Sequence, residues 1–176
     1  MELSIESLTA ATAGREQSAL VALLQDVVDD GASVGFLPPL AETEARQYWA
    51  GVAAAVGGGG RLLWIARAPG EGVVGTVQLE LEKRANGDYR AELMKLMVHT
   101  RARRRGIARA LMLAAEAEAR RRGRTTLFLD TRRGDPSEIL YQSLGWQLVG
   151  SIPRYARSAG GALDANAIYY RLLDAP

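Results

Sequence analysis

Arg103-Arg104-Arg105-Gly106-Ile107-Ala108 is a basic turn that breaks into an apolar helical run, and its residue types suit an anion. Unpaired amides at a helix start and the helix dipole converge on a negative group, and a glycine lets the backbone approach it. Arginine forks then meet phosphates lying outside the turn. The pattern Gln/Arg-x-x-Gly-x-Gly/Ala is weak by itself, since a chain this rich in Arg, Gly and Ala matches it about once by chance. It recurs at Arg67-Ala-Pro-Gly70-Glu-Gly72 and at Arg157-Ser-Ala-Gly160-Gly-Ala162. Only the match at Arg103 follows a strongly apolar strand pattern and opens a long helix pattern. Ala108 stands where a final glycine is more usual and adds little bulk.

Two carboxylates stand at places suited to proton transfer. In "AELMKLMV", strict alternation puts Glu92 on one face with Met94, Leu96 and Val98, and an acid on an apolar face has a raised pKa, which suits a base. The competing reading makes Glu92 a rim residue, solvated or paired with Arg90 or Lys95. Asp130 closes the apolar run "TTLFL" at the carboxyl edge of a parallel strand, where open sheets bind ligands. Its other reading is a cap or turn role before the next helix. His99 is the only histidine, and at a strand end it reads as solvated.

These residues need elements to hold them. "LSIESL" alternates like a first strand, residues 15–29 carry helical spacing, and Gly31 stops that helix. "GASVGFLPPL" follows as a loop, because paired prolines forbid regular structure. Residues 42–56 form a second helix ended by "GGGG". "RLLWIAR", "VVGTVQLELEKR" and "YRAELMKLMV" read as an antiparallel meander, the last two joined through "ANGD". Residues 107–122 form a helix capped by Gly123, "TTLFLDT" a buried strand, and "PSEILYQSL" a helix with Pro136 in its first turn. "WQLVGSI" and "AIYYRLL" close the chain as strands. The order predicts a mixed α/β (α+β) fold, with a central strand–helix–strand crossover and flanking helices. Trp49, Trp64 and Trp146 read as core or rim packing.

Composition narrows the chemistry. The 176 residues have the size of one domain, and 48% hydrophobic content supports one sizeable core. Without cysteine and with one histidine, thiolate nucleophiles and Cys or multi-His metal sites are excluded, and no metal is expected. The 22 basic and 20 acidic residues nearly balance, and the arginine turn lacks flanking aromatics, so nucleic acid is not the expected partner. No long apolar segment calls for a membrane, and a cytoplasmic location is expected.

"LMKLMV", "RARRRGIA" with the helix after it, "LFLD" and "EILYQSLGW" are similar, in order and spacing, to the acyl-CoA-binding core of the GNAT superfamily of N-acetyltransferases. The resemblance covers roughly residues 60 to 173. "GASVGF", "AELMKLMV", "LFLDT" and "GGALDANAIYY" further resemble the tabtoxin-resistance type, which acetylates a small β-lactam-containing amino acid toxin. The resemblance implies a seven-stranded, mostly antiparallel GNAT-like sheet and a single N-acetyltransferase domain over residues 1–176. It implies acetyl-CoA as co-substrate, with its pyrophosphate on the turn of Arg103, Arg104, Arg105, Gly106, Ile107, Ala108 and Arg109. The pantetheine would run beside Leu96, Met97 and Val98 and near Thr131, although plain core packing explains those three strand residues equally. An amide of Met97 or Val98 would polarise the thioester carbonyl. Glu92 and Asp130 are implied as proton acceptors, and Tyr141 as the coenzyme-facing general acid, the alternative being ordinary aromatic packing.

Ser33, Val34 and Phe36 of the irregular loop are expected to wall the acceptor pocket, or to plug the core. The loop's composition suits a small, neutral-to-zwitterionic amine, among them a toxin or antibiotic amino acid in a resistance role. Competing readings are an acetyltransferase for protein N-termini or a metabolite amine, and a noncatalytic acyl-CoA-binding sensor. Monomer and homodimer stay equally open.

Overall fold

The structure, a computed structural model, describes residues 3–173. The strands are β1 (Ser4–Leu8), β2 (Arg61–Ala68), β3 (Gly72–Leu81), β4 (Arg90–Val98), β5 (Thr126–Arg132), β6 (Gln147–Arg157) and β7 (Leu163–Leu172). They make one seven-stranded sheet in the order β1-β2-β3-β4-β5-β7-β6. Every neighbouring pair is antiparallel except β4 and β5. That parallel pair is joined through α4 (Ile107–Arg121), the expected central crossover.

Apolar faces place the remaining helices. On one side α4 buries Ile107, Leu111, Met112, Ala115 and Ala119 against Val74, Val77, Leu79, Leu93 and Leu127 of the sheet, together with Tyr141 and Leu144 around α5 (Ser137–Ser143). On the other, α2 (Gln17–Asp29) and α3 (Glu42–Gly57) bury Leu20, Leu23, Leu24, Val27, Trp49 and Val52 against Leu63, Ile65 and Met97. A fully buried Leu of this kind contributes about 2 kcal/mol, so the two layers fix the sheet from both faces. Trp49, Trp64 and Trp146 are all buried, as their contexts predict.

The expected first helix is found as α2, and a short helix that the sequence reading does not anticipate stands before it. α1 (Ala10–Arg15) precedes α2, and Glu16 stands between them. Thr9 caps α1: its hydroxyl accepts from Thr12 N at 3.2 Å, and its own amide donates to the Thr12 hydroxyl at 2.7 Å. A threonine takes the place of the usual acidic partner in this capping box, which hides the helix start from sequence inspection.

The meander contains an irregularity that decides the site. Thr76 pairs with Met97 but Gln78 with Met94, so β4 carries a bulge, and Lys95 within it has φ +52°. The bulge reverses the alternation. Leu96 and Val98 turn to the α4 layer, while Met97 packs with α2 and α3. Glu92 therefore does not share a face with Leu96 and Val98; the expectation of strict alternation fails because an extra residue shifts the period by one. Beyond the bulge β4 also leaves β5. Their pairing stops at Glu92 opposite Phe128, and the later residues of the two strands diverge.

Candidate active site

α4 begins without protein partners for its first donors. Gly106, at φ +78°, is its N-cap and makes no side-chain cap bond, and Arg104 just before it has φ +63°. The first backbone bond of the helix runs from Ala110 N to Gly106 O at 3.1 Å. Among the described residues, the amides of Arg104 through Arg109 meet no backbone or side-chain acceptor. A concave set of free donors at the positive end of a helix dipole is a receptor for an anion such as a diphosphate. The side chains divide the labour: Arg103 is paired with Asp30 at 2.6 Å, Arg105 with Glu71 at 2.8 Å, and Arg109 donates to Ser143 at 2.7 Å. Exposed pairs like these add little stability, yet they fasten the turn to α2 and to the β2–β3 connection. Arg104 is exposed and joins no such pair among the described residues.

The gap between β4 and β5 opens into a cavity of about 550 Å³. Glu92, Leu96, Met97, Val98, Arg103, Asp130, Thr131 and Tyr141 all line it, as do Ser33 and Val34 of the α2–α3 loop. Residues 104–109 are absent from this lining and form the turn beside it. Phe36 lies apart. It packs edge-on against Tyr48 at 5.2 Å and, with Val34, against the α2–α3 core, the alternative of a loop that plugs the core, and it borders two smaller pockets, one of which shares Ser33 and Arg132 with the cavity. Arg132 donates to Gly31 O at 3.1 Å and so ties β5 to the loop that roofs the cavity.

Burial raises the Glu92 pKa, and the charges of Asp130 and Glu80 raise it further, against smaller opposing effects of Lys95 and Arg61. Its pairing with Arg90 is not formed, since Arg90 donates to Glu82 at 3.2 Å. Asp130 is exposed to the cavity and caps no helix; the N-cap of α5 is Pro136. The Tyr141 ring is 5% exposed, wedged against Tyr169 at 5.8 Å and Trp146 at 6.3 Å. Burial pushes its hydroxyl up to about 12, partly offset by Ser137 and Thr131, whose own hydroxyls bond each other at 2.9 Å. Tyr141 thus packs in the core and also presents a protonated phenol to the cavity.

Sequence reasoning left two residues without their structural setting. His99 is not simply solvated: Nδ1 meets Asp26 at 3.0 Å, and Asp26 also accepts from Thr100 N and Oγ1, both at 2.8 Å, so α2 is pinned to the end of β4. Lys95 lines the cavity beside Glu92. From sequence it enters only as a candidate partner of Glu92.

Known proteins share this frame. An N-acetyltransferase from Staphylococcus aureus Mu50 superposes with TM-score 0.81 at 18% identity, over 99% of this chain and 100% of that one. A ribosomal-protein-alanine N-acetyltransferase from Brucella melitensis gives 0.79 at 23%, over 97% and 99%. A phosphinothricin acetyltransferase from Sinorhizobium meliloti, in complex with acetyl-CoA, gives 0.79 at 19%, over 98% and 89%. Residues 20–146 match the family model described as acetyltransferase (GNAT) family, a span that holds the free amides, the parted strands and Glu92, Asp130 and Tyr141 alike. The chain belongs to the acetyltransferase (GNAT) family, enzymes that use acetyl-CoA.

Proposed function

We propose that residues 1–176 act as one N-acetyltransferase domain that transfers an acetyl group from acetyl-CoA to the amine of a small molecule. The acceptor class is a toxin or antibiotic amino acid of the tabtoxinine-β-lactam kind, in a cytoplasmic resistance role. The observation that carries this reading is the run of free amides from Arg104 to Arg109 beside a cavity holding two carboxylates and a buried phenol. That similar folds include a phosphinothricin acetyltransferase supports a small-molecule acceptor.

In this reading, the amides of Arg104 to Arg109 grip the diphosphate, with Arg103, Arg104 and Arg105 around it. The unpaired edge of β4 at Leu96, Met97 and Val98 hydrogen-bonds the pantetheine amides, and Thr131 borders it from β5. Acetyl-CoA supplies an activated acetyl thioester. An alkyl ammonium has a pKa near 10, so one of Glu92 and Asp130 accepts its proton and leaves a neutral amine free to attack the thioester carbon, and the other accepts the second proton, which the nitrogen sheds as the amide forms. An amide of Met97 or Val98 steadies the oxyanion that forms. As the carbon–sulfur bond breaks, Tyr141 donates to the departing sulfur. A phenol near 12 is a weaker acid than a thiol of about 8.5, so Tyr141 works chiefly as a fixed donor and releases its proton only as another replaces it. Ser33 and Val34 wall the acceptor end, and Phe36 supports that wall from the adjoining pocket.

The test is acetyl transfer to a panel of small amines, followed as free CoA thiol, beside calorimetric titration with CoA. CoA uptake with amine-dependent thiol release is expected. Uptake without transfer to any amine would make the protein an acyl-CoA-binding sensor, and no uptake by folded protein would refute the cradle.

A further inference from the structure

Among the charged groups of the cavity that the acetyl-transfer chemistry does not use, Lys95 differs from Asp30, Arg132, Asp135 and Asp164 in having no ion-pair partner among the described residues. Lys95 sits in the β4 bulge at φ +52°, a left-handed conformation that costs a branched-Cβ-free side chain about 1 kcal/mol. It lines the cavity with Glu92 and Asp130 and is half-buried. Its Nζ lies 3.4 Å from where a Cβ on Gly35 would stand, so the ammonium lies directly under the roofing loop. Among the described residues no acceptor hydrogen-bonds it: Asp130 and Glu92 act on it only as charges at a distance, while burial disfavours its charged form. An ammonium held on strained backbone in a cavity, with no close counter-ion, is a costly arrangement unless an anion arrives there.

Asn166 borders the same cavity, but its side-chain donor is closed off from it. Asn166 is 3% exposed; its Oδ1 accepts from Ile152 N at 3.0 Å, and its Nδ2 has no partner. It stands on β7 opposite Arg132, two residues from Ile168, the partner of Asp130, and so on the sheet face that carries Asp130. Of the charged groups lining the cavity, the carboxylates of Glu92 and Asp130 and the ammonium of Lys95 have no ion-pair partner among the described residues, whereas Asp30, Asp135 and Asp164 meet Arg103 or Arg132. A plain amine would satisfy only the carboxylates.

We infer that Lys95 binds a carboxylate of the acceptor, so that the enzyme selects amines carrying a nearby carboxylate over otherwise equal amines. This rests on the small-amine acetyltransferase reading. Glu92 and Asp130 receive the amine end and Lys95 the acid end, which orients the nucleophile before it attacks.

The experiment compares common α-amino acids with their carboxamides and with the amines left by decarboxylation, as acetyl acceptors for the wild-type protein and Lys95→Met. For the wild type, kcat/KM should be at least about tenfold higher for an amino acid than for its carboxamide, the scale of one charge-assisted hydrogen bond. Lys95→Met should raise KM for the amino acid about tenfold to a hundredfold with little change in kcat, and leave the carboxamide unaffected. Equal wild-type use of acid and carboxamide overturns the inference without any variant. So does a Lys95→Met enzyme that slows all acceptors alike with a displaced pH profile, which would assign Lys95 to tuning the two bases. Transfer to no amine at all would instead remove the acetyltransferase reading, and this inference with it.

Discussion

Replacing Tyr141 by Phe takes one oxygen from the cavity wall and leaves the rest of the ring in place. The ring is 5% exposed and held by Tyr169 and Trp146, contacts that phenylalanine keeps. The two hydroxyls that lose a neighbour, Ser137 and Thr131, already bond each other at 2.9 Å, so stability should change by no more than about 1 kcal/mol. Turnover should change far more. A phenol pushed up to about 12 is too weak an acid for full proton delivery, so its value resembles that of a single preorganised donor: about 10²- to 10³-fold in kcat, or ~3–4 kcal/mol. Calorimetric affinity for acetyl-CoA should stay within about threefold, because the diphosphate cradle lies elsewhere. Steady-state thiol release measured beside that titration separates the two. A variant whose kcat stays within about threefold of wild type would show that the departing sulfur needs nothing from this hydroxyl, and the assigned role would be wrong.

Three further outcomes follow from the geometry. Burial and the Asp130 charge raise the Glu92 pKa above 4.5, so the folded chain ionises this acid at a cost the unfolded chain does not bear. Stability from this group therefore falls as pH rises through the raised value: Glu92→Gln should increase the urea midpoint at about pH 8, hardly alter it at about pH 4, and lower kcat. A Cβ on Gly75 would stand 3.0 Å from Met97 O and 3.1 Å from both Ile107 Cγ2 and Leu111 Cδ1, so Gly75→Ala must push α4 from the sheet; a loss of about 1–3 kcal/mol in urea unfolding, with weaker CoA uptake, is expected. Arg103 and Arg105 are held by Asp30 and Glu71 whereas Arg104 is not, so Arg104→Ala should weaken CoA about tenfold in calorimetry at unchanged stability, and unchanged affinity would show that the amides act alone.

Much of the architecture was legible in the sequence because it is carried within single segments. The helical period of residues 107–122, the strand patterns of the meander, and Gly106 and Gly123 at the helix ends are local properties, and they yielded the element order apart from α1, and the parallel crossover. The free amides after Arg103 were likewise legible, since a glycine entering a helix exposes its first donors whatever lies around it. The placement of Glu92, Asp130 and Tyr141 around one cavity needed the sheet order, which joins segments far apart in the chain. The bulge at Lys95 was invisible because nothing in "AELMKLMV" marks an extra residue; its position is set by how β4 registers against β3, and it moved Leu96 and Val98 to the face opposite Glu92. Phe36 and His99 show the same limit, since Tyr48 and Asp26, their partners, lie on helices whose docking only the folded core decides. Periodicity is a property of one element, whereas register, divergence and pairing arise between elements, where burial and hydrogen bonding are shared across the chain.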